Sequence, residues 1–182
     1  MVVKKVIRTA YLAHALEKRE YVRTAQKKIE QATGIRLMNP FAGDEKAIID
    51  KELEGRKRSL QEYAAYLVEQ GKSKEFVEQD LEMISKSDVV VAFFFRGVVS
   101  IGTPCEVALA YKLMNKPVFV VYSGSHIWLS YFCEASGGAL VKDVDELIKV
   151  LNRRQKRRSC RYGHIIDVGK SKCRYYHGVC SK

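Results

Sequence analysis

The run Asp88-Val-Val-Val-Ala-Phe-Phe-Phe95 decides the fold of this chain of 182 residues. Consecutive apolar residues that are mostly β-branched or aromatic are typical of a strand buried on both faces of a sheet. The run is far shorter than the roughly 20 apolar residues that a membrane helix needs. It therefore predicts the central strand of an α/β sheet and not a membrane span.

Apolar strand patterns alternate with helical patterns on both sides of this run. Strands are predicted at 2–12, 35–38, 117–122 and 139–141, and helices at 17–31, 74–87, 103–114 and 143–151. The first helix carries Tyr21, Ala25 and Ile29 on one stripe, Gly34 ends it, and residues 44–72 are also mostly helical in pattern. Such alternation implies a parallel sheet with helices on both faces. We predict a Rossmann-like, flavodoxin-like α/β domain over residues 1–151.

Positive charge is concentrated at the end of the chain. Residues 152–182 hold 10 Lys and Arg against Asp167 alone, whereas residues 1–151 hold 22 basic and 20 acidic residues. The net charge of +11 therefore belongs mainly to a short basic tail, which we treat as a second unit. Any contact with a polyanion is expected there.

Polar residues follow the predicted strands at one edge of the sheet. They are Tyr11, the segment Ser100-Ile-Gly-Thr-Pro-Cys-Glu106 and residues 122–126. Ligands of parallel sheets bind outside the carboxyl ends of the strands. Thr103 and Glu106 also suit a capping box at the start of a helix, which is a purely structural role. These residues alone support a binding site and a helix cap equally.

A wider set of residues resembles one known family. The set comprises Glu78-Gln-Asp80-Leu81, Asp88-Val-Val-Val-Ala92, Ser100-x-Gly-Thr-x-x-Glu106, Asn115-Lys-Pro-Val118, Tyr11-Leu-Ala13 and Asn39-Pro-Phe41. Its order and spacing resemble the nucleoside 2-deoxyribosyltransferase family, which includes the related 2'-deoxynucleoside 5'-phosphate N-hydrolases. The resemblance spans residues 5–150.

The resemblance implies catalytic roles for three residues. Glu106 would attack C1' of the sugar, expel the base and hold a covalent glycosyl intermediate until another base or water takes the sugar. Asp80 would act as general acid or base towards the departing base, and Tyr11 would hydrogen-bond the nucleophile. The N–H groups of a helix start are expected to favour the ionised carboxylate. The structural alternatives are a solvated carboxylate for Asp80 and a core aromatic for Tyr11.

Five further residues are predicted to bind substrate: Ser100, Gly102, Thr103, Asp88 and His126. Asp88 also suits a structural role at the start of its strand, and a loop histidine such as His126 is more often a surface residue. The resemblance implies that relatives acting on free nucleosides often carry an acid in place of Ser100, whereas the phosphate-handling hydrolases carry Ser. The turn after the first strand lacks the glycine of those hydrolases. Nucleoside and nucleotide substrates therefore both stay open.

The tail contains five residues that are good zinc ligands: Cys160, His164, Cys173, His177 and Cys180. Any four of them would complete a tetrahedral structural zinc site. The alternative is a flexible basic tail with free thiols. The interleaved Tyr162, Tyr175 and Tyr176 would also suit nucleic-acid binding through phosphates and stacking.

The sequence thus favours an enzyme that exchanges or cleaves the N-glycosidic bond of 2'-deoxynucleosides or their 5'-monophosphates. Hydrolysis of the monophosphate is one alternative, and a nucleotide-sensing module with a nucleic-acid-binding tail is another. We expect no cofactor for catalysis, no membrane contact, a cytoplasmic location and, from the resemblance, assembly into a homo-oligomer.

Overall fold

The computed structural model describes residues 6–41, 65 and 68–159. Its strands are β1 (Thr9–His14), β2 (Arg36–Met38), β3 (Val89–Phe93), β4 (Val118–Val121) and β5 (Ala139–Val141). Its helices are α1 (Arg19–Thr33), α2 (Ser73–Lys86), α3 (Gly102–Lys112), α4 (Ile127–Ala135) and α5 (Val144–Ser159), and a 3-10 turn covers Leu16–Lys18. None of these described helices combines the length and the apolar character of a membrane span. Most of the predicted segment 44–72 and the tail from residue 160 lie outside the described residues.

All five strands are parallel and stand in the order β2-β1-β3-β4-β5. This is the flavodoxin-like order, in which the direction of winding switches between β1 and β3. The predicted parallel α/β sheet is confirmed. The register pairs Tyr11 with Val90 and His14 with Phe93, so the carboxyl ends of β1 and β3 lie side by side.

Helices cover both faces of the sheet. Successive side chains of each strand point to opposite faces, and the side chains on both faces are apolar. One face packs against α1 and α5 through Val22, Ile29, Leu147 and Leu151. The other packs against α2, α3 and α4, which contribute Ile84, Val107, Ala110, Leu129 and Cys133 among others. Every residue of β3 is buried, as the opening run predicts.

The first helix packs on the core through two of the three predicted residues, Ala25 and Ile29, and through Val22 in place of Tyr21. Val22, Ala25 and Ile29 are buried, whereas Tyr21 is 51% exposed. The stripe therefore starts at Val22, and the Tyr21 ring instead lies perpendicular to the Phe95 ring, with 5.4 Å between their centroids. Gly34 ends the helix as predicted, with φ of +68°, a backbone conformation that glycine adopts without steric cost.

The last helix crosses the predicted domain boundary. α5 is capped by Asp143, whose carboxylate accepts the Glu146 N–H at 2.8 Å, as the sequence indicates. It continues past Leu151 to Ser159, and the side chains of Arg154 and Gln155 still contact the body. The helix predicted to end at Leu151 is therefore longer, and the division of the chain at residues 151 and 152 stays a prediction.

Gly138, which precedes β5, provides a test of the sheet packing. A Cβ atom at this position would lie 1.6 Å from the backbone oxygen of Val118, which belongs to β4. Gly138→Ala is expected to force the β4–β5 pairing apart and to lower the free energy of unfolding by about 3 kcal/mol in urea titrations. Gly102→Ala is the matched control, because a Cβ at Gly102 meets no atom within 4 Å and its unfolding midpoint should stay near that of the parent. Equal midpoints for all three proteins would contradict the packing.

Candidate active site

The three predicted catalytic residues come together beneath the carboxyl edge of the sheet. The Tyr11 hydroxyl donates a hydrogen bond to Glu106 Oε1 at 2.9 Å, across 95 positions of sequence. Asp80 lies close enough to both residues for its charge and a hydrogen bond to affect the pKa of each. The structure thus places a phenol and two carboxyl groups in one cluster.

Each of the three side chains is positioned by a different element. Tyr11 lies on β1 with its side chain on the face that α2 and α3 cover, and it is fully buried. Glu106 lies on α3, where the neighbouring Val107 packs against the sheet. Asp80 lies one turn before Ile84, the residue that anchors α2 to the same face. The cluster therefore depends on two helices being docked side by side on the sheet.

Burial and mutual charge dominate the electrostatics of the cluster. Burial, followed by the charge of Asp80, raises the pKa of Glu106 to about 8, although the hydrogen bond from Tyr11 opposes this shift. Burial and the two nearby carboxylates also raise the pKa of Tyr11, so its phenol stays protonated and remains a donor. Burial beside Asp80 therefore opposes the ionised form of Glu106, in the direction contrary to the effect expected from the helix start.

The two oxygens of the Glu106 carboxyl group differ in their surroundings. Oε2 is buried, and no N–H or hydroxyl group in the described part of the chain donates to it. A buried carboxylate oxygen without a hydrogen-bond donor lowers the stability of the folded state. Such unsatisfied groups are common at functional sites. The arrangement allows Oε2 either to share a proton with Asp80 or to approach a reacting atom.

The N-terminus of α3 is capped by Ser100 and not by the predicted capping box of Thr103 and Glu106. Ser100 Oγ accepts the Thr103 N–H at 3.3 Å and lies 2.9 Å from the Thr103 hydroxyl. The helix already begins at Gly102, one residue before Thr103, and Glu106 points to Tyr11. The capping-box prediction is wrong, which removes the structural explanation for an acid at position 106.

Asp88 lies at the opposite edge of the sheet from Glu106. Its Oδ2 accepts the backbone N–H groups of Arg8 at 2.8 Å and Thr9 at 3.0 Å, and it lies 3.3 Å from the Thr9 hydroxyl. These contacts join the amino ends of β1 and β3. The prediction that Asp88 binds substrate is corrected, because the carboxylate serves the sheet at the end remote from the site.

Two buried polar residues at the carboxyl edge have no role assigned from the sequence. His14 ends β1, with Nδ1 3.1 Å from Ala15 O and Nε2 3.2 Å from Asn39 Oδ1, and Asn39 follows β2. Burial lowers the pKa of His14, which favours the neutral ring. The sequence signals were a polar residue at the end of each strand and, for Asn39, the Asn39-Pro-Phe41 motif. His126, predicted to bind substrate, also follows a strand at this edge but is exposed at the start of α4.

The five predicted zinc ligands, Cys160, His164, Cys173, His177 and Cys180, lie outside the described residues. Among residues 6–41, 65 and 68–159, no group of three or more His, Cys, Asp or Glu residues is arranged to hold a metal ion.

The electrostatics predict opposite effects for the two neighbours of Glu106. Tyr11→Phe removes the hydrogen bond that lowers the pKa of Glu106, so this pKa should rise. Asp80→Asn removes a negative charge, so the pKa of Glu106 should fall by roughly one unit or more. Carboxyl ¹³C chemical shifts of labelled glutamate, followed against pH, measure both changes. Tyr21→Phe, which alters an exposed tyrosine on α1, should leave the titration unchanged. Shifts of the same sign in the two site variants would refute this account.

Comparison with known proteins gives similarity at the level of structure. No family model and no curated protein sequence matches the chain. The 2-deoxyribosyltransferase of the psychrotolerant bacterium Bacillus psychrosaccharolyticus superposes with a TM-score of 0.51 at 18% identity, over 77% of this chain and 90% of that one. A conserved protein from Enterococcus faecalis V583 superposes with a TM-score of 0.55 at 16% identity, over 81% of this chain and 99% of that one.

A third solved structure, the CMP N-glycosidase of Clostridium botulinum, aligns with a TM-score of 0.47 at 15% identity. At identities this low, the superpositions show a shared fold, and the activity has to be argued from the site. The resemblance predicted from the sequence is confirmed at the level of the fold: the chain shares its α/β fold with a 2-deoxyribosyltransferase.

Proposed function

We propose that the protein breaks or exchanges the N-glycosidic bond of 2'-deoxynucleosides or their 5'-monophosphates, with Glu106 as the nucleophile. The single observation that carries this proposal is the buried Glu106 carboxyl group, held by the Tyr11 hydroxyl at 2.9 Å and charge-coupled to Asp80. One carboxylate to attack and one carboxyl group to donate a proton are the minimum for glycosyl transfer with retention. The fold that the chain shares with a 2-deoxyribosyltransferase supports the same substrate class.

The reaction proceeds in two displacements. A Glu106 oxygen attacks C1' as the bond from C1' to the base nitrogen breaks, and the departing base takes a proton from Asp80 or from solvent. The sugar is then held as a glycosyl ester on Glu106. In the second step an acceptor base or water attacks C1' and frees the carboxylate, with Asp80 accepting the proton.

The reaction depends on which of the two carboxyl groups holds the proton that they share. Two carboxyl groups this close do not both ionise readily, so near neutral pH the pair retains one proton. Attack requires that proton on Asp80 and the negative charge on Glu106. The Tyr11 hydrogen bond favours this distribution because it stabilises the ionised form of Glu106.

Substitution of the nucleophile tests the proposal directly. Glu106→Ala should lower the rate of free-base release from 2'-deoxynucleosides or their monophosphates by about 10³-fold or more, measured by chromatography of the released base. Glu75→Gln, which alters an exposed acid on α2, should retain the parent rate. Running each reaction with and without a second base separates exchange from hydrolysis. A fully active Glu106→Ala protein would end the proposal.

Among the predicted substrate-binding residues, Ser100 is the one that we assign to recognition of the 5' end of the sugar. Its hydroxyl caps α3 through the Thr103 N–H, so it stands beside the N-terminal N–H groups of the helix that carries Glu106. A helix start of this kind attracts a phosphate group. We favour the 5'-monophosphate on this ground, with the free nucleoside as the alternative.

Ser100→Asp separates these two substrates. Aspartate is as good a helix cap as serine, so the helix start is retained, but the added negative charge repels a phosphate. The KM for the 5'-monophosphate should rise by about tenfold or more, whereas the KM for the free nucleoside should change little. Ser100→Asn is the control, since asparagine keeps the cap without the charge. An equal rise for both substrates would contradict the assignment of Ser100 to the 5' end.

A further inference from the structure

Two aromatic rings meet at the carboxyl edge of the sheet, next to the candidate active site. Phe41 follows β2 and Phe76 lies at the start of α2, and their ring centroids are 6.3 Å apart with an angle of 35° between the rings. Both residues are only half-buried. Neither is among the described residues that pack into the two apolar cores of the sheet. The pair, here called the aromatic wall, is therefore not explained by the packing of those cores.

The aromatic wall borders the acid that is proposed to exchange a proton with the base. Phe76 precedes Asp80 by four positions on α2, a spacing that places the two Cβ atoms about 5–6 Å apart on one side of a helix. Because α2 leads into the amino end of β3, Phe76 lies one turn nearer the carboxyl edge than Asp80. Ligands of parallel sheets enter from that edge. A substrate that reaches Asp80 therefore passes the wall.

The backbone of Phe41 is held by polar side chains on both sides. Its N–H donates to Asn39 Oδ1 at 2.9 Å, and its carbonyl oxygen accepts a hydrogen bond from Arg23 Nη2 of α1 at 2.9 Å. Asn39 in turn donates to Gln26 Oε1, also on α1, at 3.1 Å. These hydrogen bonds fix the position of Phe41 relative to α1.

The buried His14 holds the same loop. Its ring lies at 69° to the Phe41 ring with 5.0 Å between centroids, and its Nε2 is 3.2 Å from Asn39 Oδ1. Buried polar side chains lower stability unless their hydrogen bonds are made, a constraint that apolar side chains would not impose. The proposed reaction assigns no role to His14 or Asn39. Both are accounted for if they hold the Phe41 ring in a fixed orientation for a ligand.

We infer that the nucleobase of the substrate stacks on the aromatic wall of Phe41 and Phe76, with its edge towards Asp80. The inference rests on the proposed function and adds the manner in which the base is recognised. Every nucleobase has a π face, so stacking on aromatic rings tolerates different bases. The two phenylalanine rings offer no hydrogen-bond donor or acceptor. The wall therefore selects a flat aromatic ligand, and purines and pyrimidines are both accepted.

The experiment measures binding by isothermal titration calorimetry in the full chain with Glu106→Gln, which keeps the size of the side chain without the nucleophile. The ligands are 2'-deoxyadenosine, 2'-deoxycytidine and their 5'-monophosphates. Phe41→Leu and Phe76→Leu, each added to this protein, keep an apolar side chain but remove a ring. Each should raise the Kd by about tenfold for the purine and the pyrimidine ligands alike, because one stacking ring is lost.

Three controls separate stacking from other effects. Phe41→Tyr and Phe76→Tyr keep the rings, so the Kd should stay close to that of the Glu106→Gln protein. Tyr131→Leu removes an exposed ring from α4, which packs against β4 and β5 at the other end of the strand order, and should also leave the Kd unchanged. The ligand 2-deoxyribose 5-phosphate has the sugar without a base and should bind equally with and without the Leu substitutions.

Four results would overturn the inference. They are an unchanged Kd in both Leu variants, an equal loss in the Tyr and Leu variants, a loss of the same size for 2-deoxyribose 5-phosphate, and no binding of any of the four ligands that carry a base. The first of these, found together with base release that depends on Glu106, would refute the aromatic wall and leave the proposed reaction intact.

Discussion

The structure depends on the need to bury both faces of β3. All five residues of Val89–Phe93 are buried, and fully burying an apolar side chain of valine or phenylalanine size contributes about 1.5–3 kcal/mol. A strand with two apolar faces requires helices above and below it, and helical crossovers make its neighbours parallel. Parallel strands bring their carboxyl ends to one edge. The convergence of β1, α2 and α3 on Glu106 therefore follows from the packing of a single strand.

The carboxyl groups of Asp80 and Glu106 lower the stability of this apolar arrangement. Burial beside Asp80 raises the pKa of Glu106, so the folded chain holds a proton that the unfolded chain releases. As the pH rises from the unfolded pKa of Glu106 towards about 8, stability therefore falls, because the unfolded chain ionises this carboxyl group while the folded chain keeps it protonated. The hydrogen bond from the buried Tyr11 hydroxyl to Glu106 partly offsets this loss of stability. The same features, a shielded acid, a second acid and a fixed donor, are those that glycosyl transfer requires.

The direction of the parallel strands separates the candidate active site from the contacts that join the amino ends of the sheet. Glu106 lies on the helix that follows β3, whereas Asp88 precedes β3 and bonds to the backbone at the start of β1. The helix α5 starts after β5 at the carboxyl edge, and its Gln155 reaches Ile7 O at the amino edge. The residues that hold the amino ends of the sheet are therefore distinct from the candidate catalytic residues.

The sequence by itself determined the apolar strands and their alternation with helices, because periodicity is a local property. Tyr11, Asp80 and Glu106 became candidates through the resemblance of their motifs to a known family. It misjudged Thr103 as the cap of α3, and it listed Asp88 with the substrate-binding residues. Only the tertiary structure decided these points, since one β-strand separates Asp88 from the site edge and Ser100 reaches the Thr103 N–H. Burial likewise set the protonation of Glu106, because desolvation and the charge of Asp80 arise only when α2 and α3 dock side by side.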